Sequence, residues 1–90
     1  MRDAPSPEAD PATTALNALG WILQDEDRAE RFLALTGLTP DNLRAGIATR
    51  ETHAAVLDYL CAHEPDLLAA AAALDVAPET LAQARQGLER

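Results

Sequence analysis

The chain is 90 residues long, with 48% hydrophobic and only 3% aromatic residues, and all seven of its basic residues are arginines against 15 acids, a net charge of −8. A chain this short buries only about 60–65% of its extended surface and has room for one domain. One cysteine excludes an internal disulfide and a thiolate-rich zinc site, no stretch approaches a membrane span, and the acidic balance disfavours unassisted binding to phosphate backbones or anionic membranes.

Residues 1–10, with Pro5 and Pro7 among Asp3, Ser6 and Glu8 and no apolar periodicity, read as a solvated disordered tail. The single helical domain is expected over 11–90. Asp10 suits an N-cap with Pro11 at the first helical position, where its missing N–H costs nothing. The first helix runs to about Gln24 with Ala12, Ala15, Leu16, Leu19, Ile22 and Leu23 as its apolar stripe, and Trp21 falls off that stripe. Asp25, Glu26 and Asp27 fit the dipole-positive first turn of a second helix that reaches Thr36. Gly37 suits the left-handed position beyond its end.

Thr39 and Pro40 open a short third helix, with Leu38 stapled to Leu43, and Gly46 ends it. A fourth helix from about Arg50 to His63 buries Val56, Leu57 and Leu60, with His53 on the same stripe and Tyr59 off it. Pro65 marks the fifth helix, which runs through Ala69–Ala73 to Leu74 and stops at Asp75, the counterpart of Gly37. Val76, Pro78 and Leu81 repeat the staple and proline start for the sixth, which buries Leu81, Ala84 and Leu88.

A constant shift of 38 residues carries Leu19 onto Leu57, Trp21 onto Tyr59, Ile22 onto Leu60, Gly37 onto Asp75, Pro40 onto Pro78 and Leu43 onto Leu81. The expected fold is therefore all-α: a compact bundle of five or six short helices, read as two copies of a three-helix unit packed on each other.

Catalytic chemistry is poorly represented. Cys61 and His63 are two positions apart on a helix and point to different sides, and the carboxylates Asp25, Glu26, Asp27 and Glu30 lack calcium-loop spacing. Gly20, Gly37, Gly46 and Gly87 are dispersed and form no phosphate loop. No catalytic residue, metal or cofactor is assigned, and the chain is not expected to be an enzyme. Trp21 and Tyr59 are the candidate partner-binding residues, since aromatics anchor interfaces when exposed and pack under a neighbouring helix when not. The main alternative is nucleic-acid binding through a helix-turn-helix made of helices 5 and 6. Against it, the outer face of helix 6 carries Glu79, Gln83, Gln86, Glu89 and Arg90, with Arg85 near its boundary.

The stretches from Glu30 to Leu43 (ERFLALTGLTPDNL) and from Val56 to Leu81, with its DYL and DVAPETL segments, resemble a family of short alphaproteobacterial proteins known only as a domain of unknown function. The resemblance implies a compact helical fold and brings no activity, ligand or site residue. The expectation is a small interaction or regulatory module of the cytoplasm, monomeric or weakly dimeric, whose protein partner is basic, with no membrane and no nucleic acid.

Overall fold

A computed structural model describes residues 10–89. The disordered tail expected before Asp10 therefore lies outside the described residues. Six helices follow one another: α1 Pro11–Leu23, α2 Glu26–Thr36, α3 Pro40–Ala45, α4 Arg50–Ala62, α5 Glu64–Leu74 and α6 Pro78–Leu88.

Each start has a local cause. Asp10 accepts from the Ala12 and Thr13 amides, and Asp25, Thr39 and Thr49 each accept from the amide three residues on. Pro11, Pro40 and Pro78 occupy the first turn, where no N–H is needed. α5 begins one residue before Pro65, with no side-chain cap. Two helices stop at left-handed residues, Gly37 at φ +79° and Asp75 at φ +59°. Beyond Asp75 the Val76 amide reaches back to the Ala71 carbonyl, closing the end of α5.

The 38-residue shift is visible in three dimensions. It carries α2 onto α5 end to end, Pro40 onto Pro78, and the one left-handed cap onto the other. It also carries the buried set of α1 (Thr14, Ala15, Ala18, Leu19, Ile22) onto Thr52, His53, Val56, Leu57 and Leu60 of α4, whose sixth buried residue is Tyr59. Packing between the units is reciprocal: α1 lies on α4, α1 also meets α5, and α4 meets α2. The equivalence fails at the third helix. α6 packs along both α1 and α4, whereas its counterpart α3 ends after six residues and packs extensively on no helix.

The core is centred on Phe32, Ile22, Val56, Leu57, Leu60 and Leu81. Gly87 lets α6 approach α1, because a Cβ there would lie 2.8 Å from the Pro11 ring. The α1 stripe is rotated from the sequence expectation. Thr14 and Ala18 face the core, while Leu16 and Leu23, expected inside, are 40% and 46% exposed. The helices packed on α1 decide this: close approach of α4 and α6 favours small residues at the contact, and the leucines are left on the outer flank.

Candidate functional site

Trp21 and Tyr59 are equivalent in the repeat but differ in environment, because the residue seven positions on differs. Over Trp21 sits the Arg28 guanidinium, 3.6 Å from the ring centre, and it also donates to the Trp21 carbonyl. Trp21 is half-buried beneath it. At the equivalent of Arg28 stands Asp66, which accepts a hydrogen bond from the Tyr59 hydroxyl.

Tyr59 is only 4% exposed, so of the two alternatives for an off-stripe aromatic it takes the packed one rather than the exposed anchor. Its ring meets Phe32 edge-on at 5.4 Å and stacks on His63 at 4.7 Å. Arg31 donates to both members of the pair, through Nε to the Tyr59 hydroxyl at 3.1 Å and through Nη2 to Asp66 at 2.9 Å. Burial raises the Asp66 carboxyl, but the hydrogen bonds from Tyr59 and Arg31 more than reverse this and hold it below the usual carboxylate range. Burial, reinforced by the bond to Asp66, pushes the Tyr59 phenol up. All these polar groups are partnered, so the cluster reads as a latch joining α2, α4 and α5.

The remaining chemical side chains are also engaged. His53 is buried and its Nε2 lies 2.8 Å from the Ile47 carbonyl, which fixes the turn into α4. The Cys61 thiol is half-buried and burial raises its pKa, the opposite of an activated nucleophile. Among the described residues no group of three or more His, Cys, Asp and Glu could hold a metal ion, and no helix is long and apolar enough to cross a membrane.

α5, the Asp75 turn and α6 do form the succession of a helix-turn-helix. The outer face of α6 exposes Glu79, Gln83, Gln86 and Glu89, while Arg85 bridges to Asp58 at 2.5 Å and to Glu89 at 3.6 Å. Arg90 lies outside the described residues. This face offers a phosphate backbone acids and a cation already spent within the fold.

A different surface stands out on geometry. Where α3 stops short, Leu23, Leu33, Pro40, Leu43, Arg44 and Ile47 line an open, almost wholly apolar groove of about 420 Å³. Leu23 and Ile47 are 46% and 40% exposed. Leu16, Gly20 and Leu23, spaced by four and three, extend the face along α1, and Gly20 has open space where a Cβ would stand. Exposed Glu26 and Glu30 share the helix face of Leu33, and Asp41 at the opposite rim pairs with Arg44 at 3.4 Å.

Compared with known families, residues 8–90 match the family described as protein of unknown function (DUF3572). The chain belongs to that family. No curated protein and no solved structure matches it. DUF3572 carries no activity or ligand to transfer, so the functional reading of this member rests on its own surfaces. The groove is hard to read from the sequence because its leucines fit helical stripes that would equally face a core. Its signal was the failure of the repeat: Gly46 and Arg50 stand where Ala84 and Leu88 continue the apolar face of α6.

Proposed function

We propose that this chain is a non-enzymatic protein-docking module acting in a reducing compartment such as the cytoplasm, and that the groove bounded by the end of α1, α2 and α3 is its docking face. The observation that carries this reading is the exposure of Leu23, Ile47 and Pro40 together, beside half-buried Leu33 and buried Leu43, in one apolar groove on a body of net charge −8. Contiguous apolar surface rimmed by polar groups is the usual mark of an interaction site. The half-buried, unactivated Cys61 fits the compartment. Trp21 faces the opposite flank of α1, since two positions along a helix turn a side chain by about 200°, and it is a fluorescence reporter in this reading rather than the anchor.

Site-specific photo-crosslinking tests it. A crosslinking side chain in place of Ile47 should capture one protein in the cell, the capture should disappear with Leu23→Glu, and the purified pair should re-form the complex. Equal capture from a crosslinker in place of Gln83 on the outer face of α6, or capture indifferent to Leu23→Glu, would move the docking face elsewhere.

A further inference from the structure

The two halves of the molecule treat equivalent helix faces differently. On α4 the face carrying half-buried Ala54 and Cys61 and exposed Asp58 is partly covered by α6: Arg85 bridges to Asp58, and both Arg85 and Glu89 act electrostatically on Cys61. The 38-residue shift carries that face onto Leu16, Gly20 and Leu23 of α1. There the covering helix is missing, because α3 ends at Gly46. The exposed face is also the more apolar of the two, with leucine at Leu16 and Leu23 where the covered face has Ala54 and Cys61. It thus has the shape of a helix seat that none of the described residues fills.

Charge defines the occupant further. The body carries −8, and the groove is rimmed by exposed Glu26, Glu30 and Asp41, while Arg44, which lines it, is paired to Asp41. A second copy of the chain fits poorly. It brings the same negative charge, and the apolar face of its own α6 (Leu81, Ala84, Leu88) is already buried within its fold.

We propose that the Leu16, Gly20, Leu23 face and the adjoining groove seat one amphipathic helix of a cationic partner, placed as α6 is placed on α4. The inference rests on the docking reading above and names its occupant. Such a helix presents apolar residues at the first, fourth and eighth positions, as Leu81, Ala84 and Leu88 do, and lysine or arginine at its flanks towards Glu26, Glu30 and Asp41. Gly20 lets its backbone come close.

The test uses a synthetic peptide of about 15 residues with Leu, Ala and Leu at that spacing and lysines elsewhere, long enough to form a helix once docked. Titration into the labelled protein should shift the amides of Leu16, Gly20, Leu23 and Ile47 saturably, and the peptide should gain helical circular dichroism. Leu23→Glu should weaken binding about tenfold or more. Gly20→Gln should also block the seat while leaving the fold as stable or more so, since helix propensity improves and its Cβ enters open space. That combination separates loss of docking from loss of folding. Raising sodium chloride from about 50 to about 300 mM should weaken the complex several-fold.

Equal binding of the same peptide with glutamate for lysine would overturn the cationic assignment, and equal binding of a proline-interrupted, extended analogue would overturn the helical one. Both results would leave the docking reading standing on the crosslinking result. A dimer in sedimentation equilibrium that Leu23→Glu abolishes would make a second copy the occupant and overturn the inference. Absence of amide shifts with every peptide would overturn it as well.

Discussion

Asp66 shows how one side chain ties three helices together and makes the tie depend on pH. Its carboxylate accepts from Tyr59 on α4 and from Arg31 on α2, and the nearby His63 adds a favourable electrostatic interaction. A carboxyl held below its ordinary value contributes its full stability above about pH 4 and loses it as pH falls through the lower folded value. Asp66→Asn should therefore lower stability at neutral pH and flatten the acid limb of a denaturation-versus-pH curve. An unchanged acid limb would show that the latch does not form in solution. Tyr59→Phe keeps the ring against Phe32 and His63 and removes only the hydroxyl, so urea denaturation should register a loss of about 1–2 kcal/mol. Since Tyr59 is the lone tyrosine, its phenolate absorbance should appear only at pH above the ordinary phenol range. Trp21, likewise the lone tryptophan, should be partly quenchable by acrylamide, and more so in Arg28→Ala, which uncovers its ring.

At the scale of helices, starts and stops were legible in the sequence because they depend on one or two residues. Asp10 with Pro11, Thr39 with Pro40, and the ends at Gly37 and Asp75 all have local causes that a neighbouring helix does not change. Facing was less legible. Ala12, Leu16 and Leu23 fit a helical stripe as well as Thr14 and Ala18 do, and only the approach of α4 and α6 decides between them. The candidate aromatics were found as an equivalent pair, but their different fates depend on Arg28 and Asp66, seven residues away and on the next helix. Two substitutions test the helix-scale account. Gly87→Ala drives a Cβ into the Pro11 ring and should cost about 1–3 kcal/mol despite better helix propensity. Leu81→Ala, in a side chain with no exposure, should cost about 2–4 kcal/mol, and Leu43→Ala less, because α3 is sparsely packed. A larger loss at Leu43 than at Leu81 would mean that α3 is the better supported of the two proline-started helices.

For the molecule as a whole, reciprocal packing makes neither unit self-sufficient. The buried face of α1 is covered largely by helices of the second half, so a fragment ending at Ala48 should show little helical circular dichroism alone and gain it when mixed with the complementary fragment. The charge distribution sets a second expectation. With −8 overall and Arg85 bridged to Asp58, anisotropy titrations at about 150 mM salt should detect no sub-micromolar binding to mixed-sequence duplex DNA.

The contact between Pro11 and Gly87 joins positions near the two ends of the described chain. Helices far apart in the order of synthesis are thus neighbours in space, and a ribosome must release α6 before α1 can find its cover. Covalent continuity between the halves, by contrast, runs through the short exposed turn Ile47–Thr49. A short flexible linker from residue 89 back to Asp10, with new ends opened at Ala48, would keep every interhelix contact while reversing the order of the two units. Such a circular permutant should fold with nearly the parental unfolding midpoint, although its chain begins with what is now the second half.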